Sequence, residues 1–144
     1  MKNLVLVLFT VLLLTAILTD GKTGRQSLQI TSLIIKFDRA DATFTVNYDI
    51  GDLPRLYILL LGSKSLEPKL NLVFSNFDYE IIKMDQDKSI LLVKNISRLD
   101  KGYYLHDSRR FGETINTVYI YTPDSPRAKE YFMINSTPPF FYRS

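Results

Sequence analysis

The chain has 144 residues, 46% of them apolar, with nine Tyr, nine Phe, no Cys and a formal charge of +3. That suffices for one small domain with one core and is too hydrophobic for a disordered chain. Basic and acidic residues are interspersed, as in Arg98 with Asp100 and Lys129 with Glu130, so the one-sided basic face that tracks phosphates is missing and nucleic acid is excluded as a partner; the lack of cysteine excludes disulfides, thiol catalysis and cysteine-bound zinc.

The chain begins with Lys2 and an apolar run from Leu4 to Leu18. As a helix this run is roughly 22 Å long, shorter than the roughly 30 Å hydrocarbon core of a bilayer. Its length and its basic flank predict an export signal over residues 1–21, either cleaved or kept as a membrane anchor. Cleavage near Thr19-Asp20-Gly21 lacks the usual alanines, which leaves the tether open. A short linker, 22–27, precedes a single globular domain drawn over 28–135, followed by an extended tail over 136–144. Two sequons suit an exported chain, Asn95-Ile96-Ser97 and Asn135-Ser136-Thr137, and make Asn95 and Asn135 candidate glycosylation sites.

The segment "LQITSLIIKF", 28–37, reads as a strand whose apolar phase changes near Thr31-Ser32, as at a bulge or in a strand covered on both faces. After the turn "DRAD", Ala42, Phe44, Val46, Tyr48 and Ile50 alternate with polar residues, giving a second strand and a hairpin. The period then becomes helical. Leu53, Leu56, Tyr57, Leu60 and Leu61 predict one helix, with Asp52 as N-cap and Gly62 closing it; Leu66, Leu70, Val73, Phe74 and Phe77 predict another. "DYEIIKMD" and "SILLVKNI" form a second hairpin around "DQDK". A long polar connection, "SRLDKGYYLHDSRRFGE", leads to the strand "TINTVYIYT", with "KEYFMIN" as a further candidate. Pro138 and Pro139 bar the tail from a central strand, so its Phe140, Phe141 and Tyr142 are expected to pack along the surface.

These elements predict an α+β domain: an antiparallel sheet of about five strands with a short helix pair on one face, in the order strand-strand-helix-helix-strand-strand-strand. That order is similar to small PAS-like and profilin-like sensory domains, in topology alone, which assigns no function.

Candidate chemistry centres on "GYYLHDSRRFG", residues 102–112, which holds the lone histidine. His106-Asp107-Ser108 has the residue types of a hydrolase triad, but consecutive residues of an extended segment point to alternate sides and cannot converge. Remote partners such as Ser63 or Asp49 carry no mark of activation, and no G-x-S-x-G elbow occurs. "DQDKS" has the opening acids of a calcium loop, yet Ile90 stands where the loop needs Gly and Ile96 where it needs Glu, so it reads as a hairpin turn. No metal set or cofactor motif is present. Arg109-Arg110 suits an anion, or else orders the loop by pairing with Asp100, Asp107 or Glu113. Tyr103, Tyr104, Tyr119 and Tyr121 form either an aromatic platform for a glycan or peptide, or ordinary packing on the sheet's second face.

The sequence therefore predicts an exported or membrane-tethered, non-enzymatic domain that binds a ligand or an envelope protein through the 102–112 loop, with Tyr104, His106, Arg109 and Arg110 as contact residues. The alternatives are a small exported hydrolase using His106 and a purely structural envelope protein.

Overall fold

The computed structural model of the chain describes residues 28–51 and 62–144. The apolar run at 4–18 and the first expected helix, 52–61, lie outside them. Among the described residues no helix is long and apolar enough to cross a membrane.

Among the described residues nine strands dominate: β1 (Gln29–Asp38), β2 (Asp41–Asp49), β3 (Tyr79–Met84), β4 (Lys88–Val93), β5 (Arg98–Asp100), β6 (Tyr103–His106), β7 (Arg110–Thr122), β8 (Ser125–Ser136) and β9 (Phe140–Tyr142). A 3₁₀ turn at Ser63–Leu66 runs into the short helix α1, Glu67–Val73. Six strands form one mixed sheet in the order β3-β4-β2-β1-β7-β8, and β5-β6-β9 form a second. All pairs are antiparallel except β1 with β7.

The expected α+β fold with a helix pair is thus corrected to a mostly β fold, with one short helix among the described residues. Helical spacing over Leu66 to Phe77 overstates the helix: Phe74 leaves helical geometry at φ −107°, and Ser75-Asn76 turn the chain. The main sheet has six strands because Ser125–Ser136 pairs as β8 on β7, and the polar connection before β7 contains two further strands that belong to the second, smaller sheet. Lys101 and Gly102 both have positive φ, 49° and 83°, as a two-residue type I′ hairpin requires. The supposed loop folds there into the β5–β6 hairpin, pairing Asp100 with Tyr103.

The first hairpin follows its pattern. The register of β1 on β2 shifts between Ile30 and Ser32, so the phase change is a bulge at Thr31. Beyond it Leu33, Ile35 and Phe37 face Val46, Phe44 and Ala42 across the ladder, all buried. Leu33 and Ile35 also lie beside Val118 and Ile120 of β7. The centre of the core is therefore a continuous apolar patch across three strands.

That sheet face is covered at both ends. At one end Leu70 and Val73 of α1 are buried, and Phe74 and Phe77 just past it join Phe44, Tyr79 and Phe111, whose rings meet mostly edge to face. At the other end the small sheet lays Tyr104, His106, Phe140 and Tyr142 around Phe37. Each large ring taken from water contributes about 1.5–3 kcal/mol, so both covers are driven by aromatic burial. The tail drawn at 136–144 belongs to this cover: Phe140–Tyr142 pair with β6, and Tyr142 is fully buried rather than on the surface. Pro138 and Pro139 precede the strand and leave its ladder intact.

Gly112 sets the closeness of α1 to the sheet. A Cβ there would lie 2.1 Å from the backbone oxygen of Leu72 and 2.9 Å from its carbonyl carbon. Helix backbone meets strand backbone directly, and neither side has a flexible group to yield. Gly112→Ala is expected to lower stability by about 1–3 kcal/mol, the usual cost of overpacking a closed site. The urea unfolding midpoint measures this; an unchanged midpoint would rule out the close approach.

Candidate functional site

The 102–112 stretch is a strand and a short link, and it faces inward. His106 is 2% exposed. Its Nδ1 lies 3.0 Å from the Ile96 carbonyl and its Nε2 lies 2.7 Å from the Thr137 hydroxyl. A carbonyl oxygen only accepts, so Nδ1 carries the proton and donates to Ile96. Nε2 is then bare and accepts from Thr137 Oγ1. That oxygen also accepts the Arg109 N–H at 3.0 Å, and the Arg109 carbonyl accepts the Thr137 N–H at 2.9 Å. Arg109 Nη2 donates to the Asn95 carbonyl at 2.9 Å. The sequence "HDSR" thus fastens two distant segments, 95–97 and 137, to each other.

A second set of bonds holds the first hairpin turn. The Tyr142 hydroxyl donates to the Arg39 carbonyl at 2.6 Å, and the Ser97 hydroxyl lies 2.8 Å from it. The Ser97 N–H donates to the Ala40 carbonyl, and the Asn95 N–H donates to Asp41 Oδ1. Arg39 and Asn95 both sit at positive φ, 53° and 51°, which costs a non-glycine residue about 1–3 kcal/mol and persists only where surroundings over-determine it. Here these hydrogen bonds do so. Burial of Tyr142 pushes its hydroxyl pKa up to about 12, with the Ser97 hydrogen bond acting in the opposite direction.

The sequence-predicted contact residues do not converge on an open site. Tyr104 is half-buried and stacks on Tyr142 at 5.7 Å. His106 is enclosed. Arg109 is half-buried with its guanidinium on a carbonyl, while Arg110 is exposed and its carbonyl accepts from Asn76 Nδ2. Neither arginine takes up the pairing expected with Asp100, Asp107 or Glu113: Asp107 lies by Arg98 at 3.8 Å and Glu113 pairs with Lys69. His106 has a hydroxyl and a carbonyl as partners but no carboxylate, and Thr137 is fully buried. Both the nucleophile and the base of a hydrolase would be sealed in the core.

Tyr119 and Tyr121 lie on the other face of the large sheet, half-buried, with Lys36 Nζ 5.8 Å from the Tyr121 ring centroid. "DQDK" serves as a hairpin turn: the Asp85 N–H donates to the Lys88 carbonyl, and the Asp85 carbonyl accepts the Tyr48 hydroxyl. Among the described residues, no three metal-ligating side chains come together.

Sequence reasoning named Tyr103 as part of a possible aromatic platform but missed its neighbours on the outer face of the small sheet, Phe141 and Arg143. Tyr103 meets Phe141 edge to face at 5.7 Å, and the Arg143 guanidinium lies 4.3 Å above the Tyr103 ring and donates to its hydroxyl. Phe141 is 68% exposed. The alternation of "PFFYR" carries the signal: in an extended tail, Phe140 and Tyr142 point one way and Phe141 the other.

Burial lowers the His106 pKa below the ordinary histidine value, while its bond to the Ile96 carbonyl acts to raise it. A protonated ring would need Thr137 to give up donating to Nε2 and turn its proton toward the Arg109 carbonyl, 3.5 Å away. With the folded-state pKa depressed, the unfolded chain binds the extra proton first. The stabilisation is fully present above the unfolded value of about 6.5. It declines as pH falls below that value and is gone below the folded one. The melting temperature should therefore drop on acidification through this window, and His106→Gln should flatten the drop; an identical profile for the variant refutes the assignment. Tyr142→Phe should cost about 1–3 kcal/mol by leaving the Arg39 carbonyl unsatisfied, with no change in that pH profile, as chemical denaturation at two pH values will read.

Compared with protein-family models, curated proteins and solved structures, the chain matches none.

Proposed function

We propose that this chain is an exported, non-enzymatic domain that binds a ligand or another envelope component, using the outer face of the small sheet. The reading keeps the 102–112 stretch as the source of the contact surface and moves the contact from His106 and the arginines to Tyr103, joined by Phe141 and Arg143. The observation that carries it is Phe141, a large ring 68% exposed beside Tyr103 on strands anchored from below by Tyr142 and His106. Exposed aromatics on a rigid base, with an arginine at hand, are the side chains enriched at recognition surfaces. Export is supported by the apolar run at 4–18 with its basic flank, through the length argument above. The internal use of both His106 and Thr137 favours binding over hydrolysis, because neither group is free to meet a substrate.

A photo-cross-linking residue in place of Phe141 should give a discrete adduct in intact cells, and Tyr103→Ser should reduce its yield. The same probe at Ile82, a comparably exposed apolar position at 57%, should give none. Equal labelling at both positions, or none at either, overturns the proposed surface. One feature favours the purely structural reading: Phe132 and Met133, adjacent on the edge strand β8, are 64% and 68% exposed, a pattern suited to self-association. In that case sedimentation would show concentration-dependent assembly abolished by Phe132→Ser, whereas a monomer at all concentrations discards it.

A further inference from the structure

The two sequons meet at one place in the fold. Arg109 touches both, through its guanidinium to the Asn95 carbonyl and through its backbone to Thr137. His106 does the same, joining the Ile96 carbonyl to the Thr137 hydroxyl. In each triplet the asparagine is exposed: Asn95 in the link between β4 and β5, Asn135 on the edge strand β8. In each, the hydroxyl residue is buried, Ser97 at 7% and Thr137 at 0% exposure. Both hydroxyls are committed, Ser97 to Tyr142 and Thr137 to His106.

A glycosylating enzyme reads the hydroxyl of the triplet as well as the asparagine. The folded chain offers it only half of each signal. From this we infer that Asn95 and Asn135 are N-glycan attachment sites modified before the chain folds, and that folding closes both at once. In the reaction, the Asn amide nitrogen forms a bond to C1 of a diphosphate-linked sugar donor. The C1–oxygen bond breaks, the diphosphate leaves with the electron pair, and the nitrogen loses a proton. Once folded, the exposed positions of Asn95 and Asn135 let the glycans project into solvent without disturbing the buried hydroxyls. The same geometry links the two closures, since His106 and Arg109 each bond to both triplets.

This inference rests on the chain being exported, and the test separates the two. The full chain is synthesised in the presence of membrane vesicles that carry an Asn-X-Ser/Thr glycosylating enzyme and its donor. Protease protection reports import, and stepwise gains in mass, assigned with Asn95→Gln and Asn135→Gln, report occupancy. Protected chains should carry both glycans. Purified folded chain given to the detergent-opened vesicles should be modified at least about tenfold more slowly, because access there waits on local opening. Protected but unmodified chains, or folded chains modified as fast as nascent ones, overturn the inference. If the chain stays outside the vesicles, the export reading fails. The inference is then decided on urea-unfolded chain diluted into the solubilised enzyme, where modification ahead of refolding supports it and none overturns it. Ser97→Ala and Thr137→Ala should each abolish one glycan in the nascent arm, where stability of the fold has no bearing.

Discussion

The molecule depends on a buried clasp of hydrogen bonds that ties its last strand to its first turn. Tyr142 reaches the Arg39 carbonyl across a sequence separation of 103 residues, and His106 reaches Thr137 across 31. These bonds are modest as net contributions, about 0.5–1.5 kcal/mol each. Their weight lies in the asymmetry of losing one: the Ile96 carbonyl and the Thr137 and Ser97 hydroxyls are buried, and a missing partner leaves each uncompensated. Among the described residues no buried side-chain polar atom is left without a partner. The aromatic rings around Phe37 exclude water from the clasp, and the clasp in turn fixes where those rings can sit.

The clasp explains why a cysteine-free domain with so little helix holds its second sheet. Three strands of three or four residues are too short to be stable alone. Here they have a floor of Phe37, Phe140 and Tyr142 and a set of polar bonds that admits one register. Positive φ at Arg39 and Asn95 is tolerated on the same account. Both backbones are gripped by neighbours that would lose their own partners if either residue relaxed.

The parts legible in the sequence were those where one periodicity acts over a long stretch. The β1–β2 hairpin, its bulge at Thr31 and the β3–β4 hairpin follow from alternation that the ladder reproduces. The second expected helix was overdrawn because apolar residues from Leu66 to Phe77 satisfy helical spacing while only part of the run is helical: Phe74 and Phe77 are buried from a turn and serve the core equally well there. The β5–β6 hairpin was hidden by its length and by Lys101, a residue that does not announce positive φ as Asn would. The candidate site was misread for a related reason. A lone histidine among polar residues looks exposed, and the groups that bury His106, Ile96 and Thr137, are 10 and 31 residues away.

The contact between Gly112 and Leu72 distributes freedom unevenly between its two partners. What touches Gly112 is the oxygen of a peptide bond, while the Leu72 side chain itself is 63% exposed. The helix side of the contact is thus written in backbone atoms that every residue type supplies, and position 72 can change its side chain without altering the fit. Position 112 has no such latitude. The spacing between helix and sheet is encoded in a single residue of β7, by the absence of an atom.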